Sequence, residues 1–376
     1  MHLVIVPNGG WPVRADGGLL LPVKLIAGLR AYAAHWPGRI TLLTRGEPDD
    51  GAGPHNLGSV WSTPSQLPCD LLLTDDAPTE LARLAPDVVL ASLEPGREWL
   101  VGQPAPVVLV SEVPVSARTD YLVRAAGSRI AAARIRLGAV RVARAERALV
   151  RRSAGLQCNG WAAFDTYARD SQDPLLFFDT RLRADQIAAA PRAREPGPLR
   201  LACSGRHSPE KGPQFALELQ ADLNRRGVAA TTTLFGRGPL TEELRARAVP
   251  GVRFAGDVDF DGAWVPQVRD EVDIMVLPHL LGDPSGTYLE SAGLGVPVLG
   301  FDNVALAALV RETGAGWTVP TGDGAALAER AAYLADHPQE VAAAAGQGIE
   351  FMRGHPFETE FARRVQHLVG VAQTGV

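Results

Sequence analysis

What most constrains this chain is a recurrence. Short apolar runs of β type alternate with amphipathic helical stretches, from HLVIV (2–6) through ITLLT (40–44), DLLLT (70–74), DVVLAS (87–92), PVVLVS (106–111) and GLQCN (155–159) to PLLFFD (174–179). Runs that are apolar throughout, with helices between them, belong to parallel strands covered on both faces, and so to βαβ units. Seven such runs suffice for one doubly wound sheet. PRAREPGPLR (191–200) then breaks the rhythm with proline and charge, as a linker does. The rhythm restarts in LRLACSG (199–205), TTTLFG (231–236), VRFAG (252–256), DIMVLP (273–278), VPVLGF (296–301) and GWTV (316–319).

The expectation is therefore an α/β chain of two Rossmann-like doubly wound domains. The first spans 1–192 and the second 193–352, and residues 353–376 form a last amphipathic helix with no strand after it, expected to pack back on the first domain. Helices are expected at 213–227, closed by Gly227, and at 324–338. At 376 residues and 46% hydrophobic content, each domain has enough apolar material for a core.

A formal net charge of -5 gives no general attraction to nucleic acid. The three cysteines, Cys69, Cys158 and Cys203, fit neither a zinc spacing nor a disulfide framework, and read as buried thiols of a reducing cytoplasm. MHLVIVPNGG reads as a first core strand rather than a leader, and no apolar run has the length of a bilayer span. A cytoplasmic location is expected.

Two segments carry the chemistry. In CSGRHSPEKG (203–212) a strand ends at Gly205, and Arg206 and Lys211 precede a glycine and a helix. A diphosphate asks for such fixed positive charge beside helix N–H groups, Arg206 as a fork and Lys211 as a point charge. The same loop also reads as a polar surface turn. In LPHLLGDPSGTYLESAGLGVPVLGF (277–301) a loop at the carboxyl end of a strand opens a helix, the position where open α/β sheets bind ligands. Ser285, Gly286 and Thr287 can offer N–H and hydroxyl groups to phosphate, and Glu290 can accept from a ribose diol. Asp283 can accept from sugar hydroxyls, or serve as a helix-start carboxylate.

These segments, with LFGRGP (234–239), VRFAGDV (252–258), VDIMVLP and TGAGWTVPTGD (313–323), resemble in their order the carboxyl-terminal domain of glycosyltransferase family 4. The resemblance implies the GT-B fold, two domains facing across a cleft, and transfer of a hexose-type sugar from a nucleotide diphosphate sugar (UDP, GDP, ADP or dTDP) to a hydroxyl acceptor with retention of configuration. It implies that Arg206 and Lys211 hold the donor diphosphate, that Glu290 binds the ribose, that Gly236, Arg237 and Gly238 line the nucleotide side, and that Asp257 and Val258 meet the base. The family's first glutamate falls on Gly282 here, with Asp283 one residue later. No metal site is evident and no cofactor is required. A nucleotide-sugar 2-epimerase-like enzyme and a non-catalytic nucleotide-sugar-binding subunit are the alternative readings.

The amino-terminal half resembles the family more faintly. Gly17 and Gly18, read as a loop before a helix, are donor-side candidates through close backbone approach, or else a turn. Asn8, Ser111 and Glu112 are acceptor-side candidates, Ser111 and Glu112 standing where many members have a histidine. RIAAARIRLGAVRVARAERALVRRS (129–153) is a basic amphipathic helix, read either as a solvated face or as a peripheral contact with the inner face of a membrane; its lack of aromatics argues against nucleic acid.

Overall fold

A computed structural model describes residues 1–49, 58–194 and 196–374. The chain divides into two compact units, Met1–Phe177 with Glu358–Val376, and Phe178–Phe357. Each is a Rossmann-like α/β unit built on its own, largely parallel sheet.

The strands of the first unit are β1 (His2–Val6), β2 (Gly10–Val13), β3 (Leu19–Pro22), β4 (Arg39–Pro48), β5 (Ser59–Ser62), β6 (Asp70–Leu73), β7 (Val88–Ser92), β8 (Val107–Ser111), β9 (Gly155–Asn159) and β10 (Pro174–Phe177). Their order is β10-β9-β8-β7-β1-β4-β2-β3-β5, with β6 beside β4. In the parallel part Leu3 stands opposite both Ile40 and Val88, and Val4, Val89, Leu109 and Leu156 are fully enclosed. Burial on both faces is why these strands read as unbroken apolar runs.

The sequence reading of 8–33 as a loop followed by a helix needs correction. β2 and β3 form an antiparallel hairpin, and the helix Val23–His35 starts only after it. Gly17, at a φ of 80°, and Gly18 sit in the hairpin turn, where Gly17 N–H donates to Arg14 O and Arg14 N–H to Gly18 O, each at 2.9 Å. Burial of Leu19, Leu20 and Leu21 holds β3 in the sheet, while Pro12 and Pro22 give the stretch the look of a loop.

The second unit has β11 (Leu199–Ser204), β12 (Ala230–Phe235), β13 (Val252–Gly256), β14 (Ile274–Leu277), β15 (Val298–Phe301) and β16 (Gly316–Val319), all parallel, in the order β13-β12-β11-β14-β15-β16. Leu201, Ile274, Val276, Leu299 and Phe301 form the sheet side of its core, against Leu219 and Leu223 of the helix Pro213–Arg225 and Leu327 of the helix Gly324–Ala335. Gly227, at a φ of 71°, follows the end of the helix Pro213–Arg225.

The division of the chain falls at 177/178, not at 192/193. Residues 178–192 have no periodicity to betray their allegiance, but Phe178 packs edge-on to Phe351 at 5.1 Å and Ala188 N–H donates to Gly293 O at 2.9 Å. The stretch 191–200 is likewise pinned: Arg192 and Arg200 donate to the Asp273 carboxylate at 2.6 and 2.9 Å. Burial alone would raise the Asp273 carboxyl, but the hydrogen bonds from Arg200 and Arg192 carry it below its ordinary range. Glu195 of that stretch lies outside the described residues, as do the last two residues of the expected 353–376 helix. Residues up to Phe357 belong to the second unit; the helix Phe357–Thr374 counts with the first, where Phe361 meets Tyr32 at 5.3 Å and Arg364 donates to Gln157 at 2.9 Å.

Candidate functional site

In the second unit the first strand along the chain, β11, lies between β12 and β14, so the chain winds one way from β11 to β13 and the other way from β14 to β16. At such a reversal an open α/β sheet has its ligand crevice, outside the carboxyl ends of the strands. The two segments singled out in the sequence leave these two strands: 205–212 follows β11, and 278–285 follows β14.

The two loops are locked together. Gly212 has a φ of 62°, and a Cβ there would come within 2.2 Å of Pro278 O, so no side chain fits. Leu280 N–H donates to Glu210 O at 2.8 Å, and Lys211 Nζ donates to Asp283 Oδ2 at 2.6 Å. Arg206 is exposed and forms no ion pair among the described residues. The helix Pro213–Arg225 starts without a side-chain cap, and so does the helix Gly286–Gly293 after Ser285. The first N–H groups of a helix have no intrahelical partner, which leaves those of Gln214, Gly286 and Thr287 at the crevice.

The loops after β12 and β13 adjoin. His207 N–H donates to Arg237 O at 2.9 Å, Leu240 N–H to His207 O at 3.0 Å, and Gly236 N–H to Gly256 O at 2.7 Å. Gly205, Arg206, Lys211, Gly236, Arg237, Asp257, Val258, Asp283, Ser285, Gly286, Thr287 and Glu290 are therefore all brought to one edge of one sheet.

Four residues that the sequence reading missed complete this edge. Arg181 forks onto Glu290, Nε to Oε1 at 2.9 Å and Nη2 to Oε2 at 3.1 Å, and its guanidinium lies 3.9 Å from the centre of the Phe260 ring. Glu290 itself is 2% exposed. His279, Tyr288 and Asn303 form a buried chain: Asn303 Nδ2 donates to His279 O at 3.0 Å and to Tyr288 Oη at 3.3 Å, and the Tyr288 hydroxyl meets His279 Nδ1 at 3.0 Å. Burial, reinforced by the Lys211 charge, pushes His279 well below its ordinary pKa, so the ring is neutral. Burial also raises the Tyr288 hydroxyl. Asp283 Oδ1 is buried with no hydrogen-bond partner. The dipeptide Pro278-His279 at a strand end was the available signal for His279. Nothing local marks Arg181, whose partner is 109 positions away.

The acceptor-side candidates belong to the first unit, at the carboxyl ends of β1 and β8. Arg97 holds the backbone just before exposed Asn8, with Nη2 donating to Pro7 O at 2.6 Å. Ser111 is 3% exposed. Exposed Glu112 accepts from Asn159 Nδ2 at 2.7 Å. The thiols of Cys158 and Cys203 are buried, and burial pushes each up to about 12. Among the described residues no helix is long and apolar enough to cross a membrane.

A switch point carrying a basic pair, two uncapped helix starts and a buried glutamate has the make-up of a nucleotide site on a Rossmann-type unit. Residues 198–337 match the family model described as Glycosyl transferases group 1. The chain is 31% identical over 155 residues to the phosphatidyl-myo-inositol mannosyltransferase of Mycobacterium leprae (strain TN), covering 40% of either protein. It is 29% identical over 142 residues to the amylovoran biosynthesis glycosyltransferase AmsK of Erwinia amylovora, covering 35% of this chain and 34% of that protein. The chain thus spans well under half the length of the curated relatives it matches. Among solved structures, Anabaena HepE in complex with UDP superposes with a TM-score of 0.67 at 13% identity, over 98% of this chain and 100% of that one. WaaG, a glycosyltransferase involved in lipopolysaccharide biosynthesis, does so with a TM-score of 0.61 at 14% identity, again over 98% and 100%. The fold is GT-B.

Proposed function

We propose that this protein is a retaining, metal-independent glycosyltransferase of family 4, which moves a hexose-type sugar from a nucleotide diphosphate sugar to a hydroxyl acceptor. The observation that carries the reading is the Lys211–Asp283 pair at the sheet's switch point, between exposed Arg206 and the uncapped helix start at Gly286. Arg206 forks onto the diphosphate, while Lys211, with three donors, serves Asp283 and a phosphate oxygen together. The unpartnered Oδ1 of Asp283 accepts from a hydroxyl of the donor sugar. Glu290 accepts from the ribose, and Arg181 fixes its orientation. Gly236, Arg237 and Val258 line the nucleotide. UDP bound to HepE makes a uridine donor the first to try.

The acceptor oxygen attacks the anomeric carbon on the face from which the diphosphate departs. The bond to the diphosphate breaks as the new glycosidic bond forms, and the acceptor proton passes to the leaving phosphate oxygen. Charge developing on that oxygen is met by Arg206, Lys211 and helix N–H groups already in place. Asn8, Glu112, Ser111 and the turn glycines Gly17 and Gly18 are the first unit's candidate contributors.

The test is a thermal-shift series with UDP-, GDP-, ADP- and dTDP-sugars, with and without EDTA. A bound donor stabilises the native state by mass action, so one nucleotide series should raise Tm equally in both. No shift with any nucleotide overturns the donor reading, and a shift abolished by EDTA overturns metal independence.

A further inference from the structure

The first unit has a switch point of its own. Its parallel strands run from β1 to β4 and β6 on one side, and from β7 through β8 and β9 to β10 on the other. The ligand crevice of such a sheet falls between β1 and β7, outside their carboxyl ends. Arg97, in the loop after β7, spans that gap: Nη1 donates to Val6 O at 3.2 Å and Nη2 to Pro7 O at 2.6 Å, both on the β1 side.

Beside Arg97 stands Glu94, for which neither the donor site nor the sequence reading accounts. Its side chain is 26% exposed, and Arg97 Nε lies 3.7 Å from Oε2. That distance makes an ion pair without a hydrogen bond, and among the described residues the Glu94 carboxylate accepts none. Burial raises its carboxyl above the ordinary range, against the pull of Arg97 and Arg118 and with the push of Glu146. An enclosed carboxylate calls for hydrogen-bond donors, and at a ligand crevice a ligand can bring them.

The neighbouring cations are already engaged. Arg97 serves two backbone carbonyls and Glu94, and Arg118 is bonded to buried Glu146. At the end of β8, next to β7, exposed Glu112 adds negative charge. A carboxylate or phosphate entering here would face like charge. An uncharged polyol brings O–H donors instead, and a hydrogen bond to an ionised acceptor is the strong kind.

We propose that Glu94 selects the acceptor: its carboxylate accepts from a hydroxyl of an uncharged sugar at the β1–β7 crevice, and acceptors bearing carboxylate or phosphate are turned away. The acceptor role rests on the transferase reading; the sugar site does not.

The test is a ligand-observed NMR titration of the full chain with methyl glucoside, galactoside and mannoside and with the uronate counterpart of each, in the absence and presence of UDP. At least one neutral glycoside should bind about ten-fold or more tightly than its uronate. E94Q keeps the shape of the side chain and removes its charge, so it should weaken that glycoside by about ten-fold. Because E94Q also releases the Arg97 charge, the uronate should gain and the preference shrink or reverse. A residue that merely braced the loop would weaken both ligands alike. Should E94Q lose Tm, E94D, which keeps the charge but withdraws it by one methylene, should weaken the neutral glycoside with no gain for the uronate. Binding of none of the glycosides, tighter binding of the uronates, or a wild-type preference in both variants overturns the proposal. Those outcomes leave a nucleotide thermal shift in place, whereas failure of the donor reading removes that shift and leaves the Glu94 dependence.

Discussion

Replacing Lys211 by alanine separates a structural role from a ligand-binding one. The ammonium lies 2.6 Å from Asp283 Oδ2, and the two side chains are 20% and 22% exposed. Because Oδ1 already lacks a partner, K211A leaves a mostly buried carboxylate with neither oxygen bonded. Stranding such a group costs about 2 kcal/mol, which in a unit of this size lowers Tm by roughly 4–8 °C. Lost contact with a donor diphosphate, a hydrogen bond between charged groups, is worth about 1.5–3 kcal/mol, or about 10- to 150-fold in kcat/KM. The double variant K211A/D283N decides between the roles. With no stranded charge it should regain most of the lost stability while donor use stays low. Differential scanning fluorimetry and initial rates on one nucleotide sugar measure both quantities. Unchanged turnover in K211A, or full recovery of turnover in K211A/D283N, would refute the assignment.

Other substitutions probe the supports of the site. G212A places a Cβ 2.2 Å from Pro278 O at a φ of 62°, so urea unfolding should show a loss of about 3 kcal/mol or more; an unchanged midpoint would mean the two loops part easily. R181A should destabilise more than E290Q, by about 3 against 1 kcal/mol, because it strands Glu290 at 2% side-chain exposure whereas E290Q strands an arginine at 41%. The reverse order in urea titrations would count against Arg181 as the group that positions Glu290. His279 is held neutral in the fold, so below about pH 6.5 the unfolded chain takes up a proton that the native ring refuses. Its contribution is complete above that pH and falls by about 1.4 kcal/mol per unit below it. H279N should flatten this limb between pH 6.5 and 5, and a slope identical to wild type would place the acid sensitivity elsewhere.

The parallel strands were legible because burial on both faces writes itself into the sequence as unbroken apolar runs, as in HLVIV and DVVLAS. The hairpin Gly10–Pro22 was not: its antiparallel strands are short and proline-marked, and the burial of Leu19 to Leu21 comes from neighbours distant in sequence. Lys211 and Glu290 could be picked out because each stands one loop or one helical turn beyond a strand end, where any open α/β sheet collects ligands. Their partners could not, since Asp283 lies 72 positions from Lys211 and Arg181 lies 109 from Glu290. The unit boundary escaped for a related reason: residues 178–192 are assigned by what they touch, Phe351 and Gly293, and not by any pattern of their own.

The meeting of Gly212 with the Pro278 carbonyl has a practical consequence for altering this protein. Loops on separate strands can ordinarily be exchanged one at a time, but here the backbone of one is the floor of the other, and the Glu210–Leu280 hydrogen bond ties them again. Any residue at 278 supplies that carbonyl, so the restriction falls on position 212, where a Cβ would come within 2.2 Å of it. Variants with a different ligand preference should therefore arise from libraries of 205–212 and 278–285 that hold Gly212 fixed, while libraries that randomise it yield mostly unfolded chains.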